Sequence, residues 1–197
     1  MATETSPQKI MQSLALDDFI SGLRKLQEKD FTEVRGTLEY LRTNRVDPAA
    51  IEPYLFWNAQ HYTRNLIDRT DLYELLAICW EPGMKSSIHN HKGQNCWMAA
   101  PIGRLAVQNF RVISEDLVAH SCNIVPTDEV FITAENPVAV DPLNPVHDVH
   151  NPREWNQRAV SLHVYSRPFD SCIVYSVEQG SCGEIGLQYT SKFGKLC

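Results

Sequence analysis

Two histidine-containing stretches decide the fold of this chain. The first reads Ser86-Ser87-Ile88-His89-Asn90-His91 and is followed after four residues by Cys96 and, after six more, by Gly103. The second reads Pro142-Leu143-Asn144-Pro145-Val146-His147 and is followed after three residues by Asn151. The spacing of these residues indicates the fold and the candidate site more clearly than any one of the residues does.

The pair His89 and His91 is the first candidate for metal binding. Residues i and i+2 of a strand point to the same side, so the two imidazoles can share one metal ion. An isolated His-x-His is more often a pair of ordinary polar loop residues. The pair alone therefore does not decide between a metal site and a loop.

Length, composition and charge together predict a single globular domain. The chain has 197 residues, of which 43% are hydrophobic and 21% charged, enough to bury one core. Its 18 Lys and Arg against 24 Asp and Glu give a net charge of -6, which argues against nucleic-acid binding. No apolar stretch is long enough to span a membrane, and Met1 to Gln12 is too polar for a secretory signal. With six cysteines and no Cys-x-x-Cys pair, we expect a cytoplasmic protein, and we also expect a monomer.

The hydrophobic pattern is helical in the first quarter of the chain. From Ser13 to Arg45, apolar residues recur at three- and four-residue steps, and Asp30 is the expected cap of a second helix. Asp47-Pro48 ends this stretch, and Ala49 to Phe56 is expected to form a third short helix.

After Tyr62, short apolar runs separated by Pro, Gly, Asn and Asp predict the strands of a β-sandwich or barrel. The predicted strands are Leu72–Trp80, Cys96–Ala100, Leu105–Arg111, Leu117–Val125, Glu129–Thr133, Val160–Ser166 and Cys172–Val177. We therefore predict a mainly β protein of one structural domain, in which a helical segment over residues 1–61 packs on a barrel formed by residues 62–197.

The histidine frame resembles the two metal motifs of the cupin superfamily, whose fold is a double-stranded β-helix or jelly-roll barrel. The resemblance implies that His89, His91 and His147 converge on one metal ion inside the barrel. Cys96 stands where most cupins have Glu, and Asn144 stands where they have Gly. Since Asn tolerates left-handed turns, the second departure is mild.

The cysteine at position 96 leaves two alternatives for the metal. A thiolate together with three histidines is typical of a closed structural zinc site. If Cys96 stays off the metal, three neutral histidines leave open positions and favour an anionic substrate ligand.

Further segments resemble the cysteine dioxygenases, and the resemblance extends from Tyr62 to the end of the chain. Four motifs occur in the order and near the spacing of that family. They are Tyr62-Thr63-Arg64-Asn65-Leu66-Ile67-Asp68, Cys79-Trp80 with the His-x-His stretch and Cys96, Ala159-Val160-Ser161-Leu162-His163-Val164-Tyr165-Ser166-Arg167-Pro168-Phe169-Asp170-Ser171-Cys172, and Ser191-Lys192-Phe193-Gly194.

The resemblance implies a metal centre with one Fe(2+) per chain, bound by His89, His91 and His147. It also implies that Cys96 and Tyr165 join in a thioether cross-link beside the iron. The chain departs from the animal enzymes after the third histidine, where it reads His147-Asp148-Val149-His150-Asn151, so His150 can be mistaken for a ligand.

The resemblance implies a substrate-binding group as well, made of Arg64 for the substrate carboxylate with Tyr62 and Cys172 nearby. Ser161, His163 and Tyr165 look like the proton relay of the family. They occupy alternate positions, so a strand presents all three on one side, either to the cavity or to solvent.

The function implied is that of a mononuclear non-haem iron cysteine dioxygenase. Such an enzyme oxidises L-cysteine with O₂ to cysteine sulfinic acid, a step of cysteine catabolism that leads towards taurine and sulfite. One alternative is a dioxygenase for another small thiol such as 3-mercaptopropionate, although Arg64 and Cys96 both favour cysteine. The other is a non-catalytic metal-binding cupin.

Overall fold

The N-terminal part of the protein forms helices closed by a small sheet. The structure, a computed structural model, describes residues 12–197, so most of the polar Met1 to Gln12 stretch lies outside the described residues. Strand β1 (Gln12–Leu14) pairs in parallel with β2 (Asn44–Val46). Between them lie α1 (Leu16–Leu23), α2 (Glu28–Thr32) and α3 (Val34–Thr43), and after them α4 (Pro48–Ile51) and a 3₁₀ turn (Glu52–Tyr54).

The predicted cap of the second helix is wrong in its position. Asp30 lies inside α2, where the backbone N–H of Gln27 donates to its Oδ2 at 2.9 Å. This capping box starts a five-residue helix, which ends where Glu33 adopts an extended backbone and α3 begins. The helix expected from Ala49 to Phe56 is also different: Asp47 caps its start through the N–H of Ala49, α4 ends at Ile51, and a 3₁₀ turn continues to Tyr54.

Thirteen further strands follow in residues 63–196 of the described part. They are β3 (Thr63–Arg69), β4 (Tyr73–Trp80), β5 (Ile88–His89), β6 (Cys96–Ile102), β7 (Leu105–Asp116), β8 (Ser121–Ile132), β9 (Val138–Ala139), β10 (Val146–His150), β11 (Ala159–Ser166), β12 (Ser171–Ser176), β13 (Ser181–Gly186), β14 (Ser191–Lys192) and β15 (Lys195–Leu196). Six of them close into a barrel in the order β10-β5-β12-β13-β8-β7. Seven form a second sheet in the order β15-β14-β3-β4-β11-β6-β9. The predicted mainly β fold with a small helical part is confirmed, and the division at residue 61 stays a prediction.

Two of the predicted strands are one strand in the structure. The stretches from Leu117 to Val125 and from Glu129 to Thr133 were separated in the sequence by Pro126. In the fold, Leu117 to His120 form the turn of a hairpin, and β8 continues through Pro126, where its pairing with β7 shifts register. A bulge tolerates the missing N–H of proline, which explains why the strand is not interrupted.

The hydrophobic core has separate layers on the two faces of the seven-stranded sheet. All eight residues of β4 are buried, and their side chains alternate between the layers. Leu75 and Ala77 belong to a cluster that contains the apolar residues of α1, α2 and α3, whereas Leu76 and Ile78 belong to a cluster with residues of the barrel sheet. The helices thus cover the outer face of this sheet, and its inner face is left for the functional site.

None of the helices within residues 12–197 is both long and apolar enough to cross a membrane.

Candidate active site

The three predicted metal ligands meet on the barrel sheet. His89 ends β5 and lies directly opposite His147 of β10 in the strand register, and His91 follows two residues after His89. Their ring centroids are 4.7–5.2 Å apart, and one ligand nitrogen from each lies within 4.8 Å of the others. The antiparallel pairing therefore brings together two motifs that are 56 residues apart in the chain, counting from His91 to His147.

The ring nitrogens of this cluster are suited to a metal ion. Nδ1 of His89 lies 2.8 Å from the carbonyl of Ser87, and Nδ1 of His147 lies 3.3 Å from that of Pro145. When each Nδ1–H donates to its carbonyl, Nε2 carries the free lone pair, as is usual for metal-bound histidines. Nε2 of His147 and both ring nitrogens of His91 are buried without a hydrogen-bond partner. Such orphaned nitrogens are costly unless a ligand satisfies them.

The electrostatic environment keeps these histidines neutral, which is the form that binds metals. Burial, and then the neighbouring histidines, lower the pKa of His91 and His147 well below the usual value. Burial also lowers the pKa of His89. The donor set and its protonation state thus fit a divalent metal ion bound by three imidazoles.

His150, which the sequence alone left as a rival ligand, lies on the other side of β10. Its Nδ1 is 2.9 Å from Oδ1 of Asp148, and its Nε2 is 3.6 Å from Oε2 of Glu129. Asp148 is fully buried and also pairs with Nζ of Lys85 at 2.9 Å. His150 therefore belongs to an ion-pair network and lies outside the histidine cluster.

The predicted relay is buried and does not face solvent. Oγ of Ser161 lies 2.8 Å from Nε2 of His163, and Nδ1 of His163 lies 3.0 Å from the hydroxyl of Tyr165. All three side chains are buried on the inner face of β11. Burial raises the pKa of Tyr165 well above its usual value and lowers that of His163 to about 3, so both groups are neutral near pH 7.

Cys96 lies beside the relay. It is directly opposite Tyr165 in the register of β6 and β11, and its Sγ is 4.0 Å from Nδ1 of His163. Burial raises the pKa of its thiol. Within residues 12–197, the group able to hold a metal consists of the three histidines without Cys96, which speaks against the four-ligand zinc site.

A small cavity opens beside His89 and His91, and all three predicted substrate-binding residues line it. Nε and Nη2 of Arg64 are buried there without a hydrogen-bond partner. A buried guanidinium without a partner provides a binding site for an anion. The cavity is lined by Tyr62, Arg64, Ser87, His89, His91, Tyr165, Phe169, Cys172, Val174, Ile185 and Leu187.

Several residues around the cavity were not predicted from the sequence. Phe169 packs its ring 5.9 Å from that of His91 and 5.0 Å from that of Tyr165. Glu74 is fully buried opposite Tyr165 in the strand register, and the hydroxyl of Tyr189 donates to its Oε2. Trp80 is a further case, because its indole N–H donates to Ser161 at 2.9 Å. A tryptophan in a fully buried strand needs an acceptor, and that is the sequence signal that indicates such a contact.

The turn before the third histidine differs from the expectation. Asn144 was expected to tolerate a left-handed backbone, but its φ is not positive. The carboxylate of Asp141 closes this turn instead, by accepting from the N–H of Leu143 at 2.9 Å and from the side-chain amide of Asn144 at 3.0 Å.

With this geometry established, comparison with known families gives a match over residues 5–178 to the family described as "Cysteine dioxygenase type I". The chain belongs to the cysteine dioxygenase type I family. It is therefore a dioxygenase by family, and the enzyme class predicted from the sequence is confirmed.

Curated relatives match over nearly the whole chain. The cysteine dioxygenase type 1 of Homo sapiens is 27% identical over 187 residues, which cover 94% of this chain and 91% of the relative. That of Rattus norvegicus is 28% identical over 190 residues with the same coverage, and that of Danio rerio is 25% identical over 188 residues, covering 95% and 92%. Family membership thus extends to the N-terminal helices, which the sequence resemblance had not included.

Solved structures with a similar backbone include two bacterial proteins. One is a double-stranded beta-helix protein from Klebsiella pneumoniae, with a TM-score of 0.43, 15% identity and coverage of 59% of this chain and 81% of that one. The other is a cupin superfamily protein from Desulfitobacterium hafniense, with a TM-score of 0.41, 10% identity and coverage of 58% and 84%.

Proposed function

We propose that this cysteine dioxygenase family member oxidises L-cysteine with O₂ to cysteine sulfinic acid on a mononuclear Fe(2+) centre, with one ion per chain. One observation carries the proposal. A single cavity contains the unpartnered guanidinium nitrogens of Arg64, which can donate to an anion, and the unpartnered ring nitrogens of His91, which can coordinate a cation. An amino acid thiol bound to a metal ion matches both groups, because it combines a cation with a carboxylate.

We assign the metal to His89, His91 and His147. A redox-active ion bound there would supply the reaction with O₂ and would also lower the pKa of a coordinated thiol. Zn²⁺ would lower the pKa of the thiol as well, but it is redox-inert and could not supply the reaction with O₂. Three neutral imidazoles leave the charge of the ion uncompensated, so an anionic thiolate is a favourable further ligand. The thiol end of the substrate therefore belongs at the barrel sheet.

The opposite sheet provides the groups that orient the substrate. Arg64 lies on β3 and pairs with the substrate carboxylate, and Tyr62 and Cys172 bound the same space. The phenol of Tyr165, which remains protonated, donates a hydrogen bond into the cavity, and Ser161 and His163 hold it in orientation. Both ends of the small amino acid are thus held, which is the entropic advantage of a preorganised site.

We further propose that Cys96 and Tyr165 become joined by a thioether bond during turnover. They are opposite each other on neighbouring strands and lie in the same layer. Forming the bond between Sγ and a ring carbon removes one hydrogen from the thiol and one from the ring, and O₂ accepts the two electrons and two protons. The link consumes the thiol, so Cys96 is not available as a metal ligand.

The test of the metal assignment uses metal content and O₂ uptake in parallel. The purified wild-type protein should contain about one iron per chain and consume O₂ when cysteine is added. His91→Ala and His147→Ala should lose most of the iron while remaining folded by circular dichroism, and His150→Ala should keep it. Full iron content in His147→Ala, or zinc without O₂ uptake in the wild type, would contradict the proposal and favour the non-catalytic alternative.

Comparison of substrates tests the identity of the thiol. Because Arg64 and Cys96 favour cysteine, turnover of cysteine should exceed that of 3-mercaptopropionate at equal concentration. The reverse order would favour the other small-thiol dioxygenase. The monomeric state and the cytoplasmic location remain predictions from the sequence.

A further inference from the structure

A continuous line of hydrogen bonds leads from a buried tryptophan to the tyrosine at the metal cavity. The indole nitrogen of Trp80 lies 2.9 Å from Oγ of Ser161, which lies 2.8 Å from Nε2 of His163. Nδ1 of His163 then lies 3.0 Å from the hydroxyl of Tyr165. These residues are at most 3% exposed, so water cannot substitute for any member.

The chemistry of the donors gives this line a direction. An indole nitrogen only donates, so the oxygen of Ser161 must accept from Trp80. The hydroxyl proton of Ser161 has one acceptor within hydrogen-bond distance, Nε2 of His163. If Nε2 carried a proton instead, Ser161 would receive two donors and its own buried proton would have no acceptor, which is unfavourable.

The direction continues through the histidine. His163 is neutral, because burial lowers its pKa to about 3, and it therefore carries one ring proton. With Nε2 accepting from Ser161, that proton is on Nδ1 and is donated to the oxygen of Tyr165. The other neighbour of Nδ1, the sulfur of Cys96, is 4.0 Å away and is a weaker acceptor.

We propose that Trp80 is a positioning residue that sets the direction of the relay, so that His163 is the Nδ1–H tautomer and the hydroxyl proton of Tyr165 stays free for the cavity. If the hydrogen bonds ran in the opposite direction, the hydroxyl of Tyr165 would donate to Nδ1 of His163 and could not donate to a bound substrate. By occupying one lone pair of Ser161, Trp80 weakens that oxygen as an acceptor for a proton on Nε2 and polarises its O–H towards Nε2. The functional part of this inference rests on the proposed dioxygenase activity, whereas the tautomer does not.

The structure offers a matched pair of variants. Trp80→Phe removes the indole N–H and keeps an aromatic ring to stack on Tyr62, whose centroid is 4.7 Å away. Trp97→Phe removes a second buried indole N–H, which donates to the carbonyl of Val34 at 2.8 Å on the helix-covered side of the same sheet. The two variants thus differ in whether the lost donor belongs to the relay.

The test reads the tautomer directly by ¹⁵N NMR. Protonated and unprotonated ring nitrogens have well-separated ¹⁵N shifts, and the signals of His163 are identified by their loss in His163→Gln. The spectra are recorded on the full chain, both metal-free and loaded with diamagnetic Zn²⁺. The wild type and Trp97→Phe should show His163 protonated at Nδ1, and Trp80→Phe should show a substantial Nε2–H population.

A kinetic measurement connects the tautomer to turnover. In the iron-loaded enzyme, Trp80→Phe should lower kcat for cysteine by about tenfold, with KM and iron content near those of the wild type, as expected for a lost transition-state interaction. Trp97→Phe should keep the wild-type kcat.

The outcomes separate this inference from the proposed function. An Nε2–H tautomer in the wild type, or an unchanged Nδ1–H tautomer in Trp80→Phe, would overturn the role of Trp80. A wild-type protein without cysteine turnover, whose tautomer nevertheless responds to Trp80→Phe, would refute the proposed activity and leave the hydrogen-bond direction standing.

Discussion

At the scale of single residues, we propose that Arg64 determines which end of a substrate the cavity recognises. Two of its guanidinium nitrogens have no partner, and the ring of Tyr189 lies 6.0 Å from its central carbon. Glu74 is close enough to interact with the charge of Arg64, but burial raises the pKa of its carboxyl. The two unpartnered nitrogens of Arg64 can therefore pair with a substrate carboxylate.

Replacing Arg64 should therefore reduce turnover of thiols that have a carboxylate more than turnover of thiols that lack one. Arg64→Ala should leave the iron content unchanged and reduce kcat/KM for cysteine at least tenfold, since a charge-assisted pair contributes about 1.5–3 kcal/mol. The loss should be much smaller for cysteamine, which has the same thiol and amine but no carboxylate. Oxygen-electrode assays on both thiols check this, and equal losses would show that Arg64 acts only through the structure.

The neighbouring residues Cys96 and Tyr165 give a prediction that mass spectrometry can check. After turnover with cysteine, O₂ and iron, a fraction of the protein should be lighter by two hydrogens, and a peptide should join the segments containing these residues. Cys96→Ser should abolish that peptide and keep partial activity, because the histidines and Arg64 remain. Prolonged turnover that yields only unlinked peptides would refute the cross-link and leave the dioxygenase proposal intact.

At the scale of elements, one buried carboxylate ties the first helix to the seven-stranded sheet. Asp68 of β3 accepts from Nη2 of Arg24, the residue that ends α1, at 2.6 Å, and from the hydroxyl of Tyr73 on β4. Burial alone would raise the pKa of Asp68, but these hydrogen bonds outweigh it and hold the pKa below its usual value. The ionised form is therefore the stabilising one.

Asp68→Asn should destabilise the fold by about 1–3 kcal/mol near pH 7, because the amide cannot accept from both partners as a carboxylate does. A carboxyl whose pKa is depressed by folding stabilises above its unfolded value of about 3.9, and the stabilisation is lost as the pH falls through the folded value. The difference in unfolding free energy should thus be constant above about pH 5 and shrink below about pH 4. Urea titrations at several pH values measure it.

An exposed ion pair provides the control for this experiment. Glu28 accepts from Arg167 at 2.8 Å, and both side chains are 61% exposed. Glu28→Gln makes the same chemical change and should cost less than about 1 kcal/mol. A cost for Asp68→Asn no larger than this would mean that the contact with α1 contributes little.

The elements also explain what the sequence predicted well and what it did not. The strand register determines which histidines meet, and the resemblance of the histidine frame to the cupin motifs predicted that His89, His91 and His147 converge. The two-residue strand β5 has no hydrophobic pattern of its own, because its pairing comes from β10 and β12. The polar contact of Trp80 depends on the pairing of β4 with β11, which sequence spacing alone does not reveal.

At the scale of the whole molecule, the two sheets supply different halves of the site. Of the proposed metal ligands, His89 and His147 lie in the barrel sheet and His91 lies just after β5, whereas Arg64 and Tyr165 lie in the seven-stranded sheet. The inner faces of the two sheets meet in an apolar cluster around the cavity. A substrate held by its thiol at one sheet and by its carboxylate at the other therefore bridges the two sheets.

This arrangement predicts that cysteine stabilises the loaded protein under anaerobic conditions, where no turnover occurs. A ligand that binds only the folded state adds about 2.7 kcal/mol when its concentration is a hundred times its Kd, which raises Tm by roughly 5–11 °C for a chain of this size. Cysteamine, at equal concentration, should raise Tm by much less, because it reaches only the barrel sheet. In Arg64→Ala the advantage of cysteine over cysteamine should disappear, since the contact with the second sheet is lost. Differential scanning calorimetry on the iron-loaded protein measures these shifts. Equal shifts with both thiols in the wild type would mean that cysteine is held by its thiol and amine alone and does not connect the sheets.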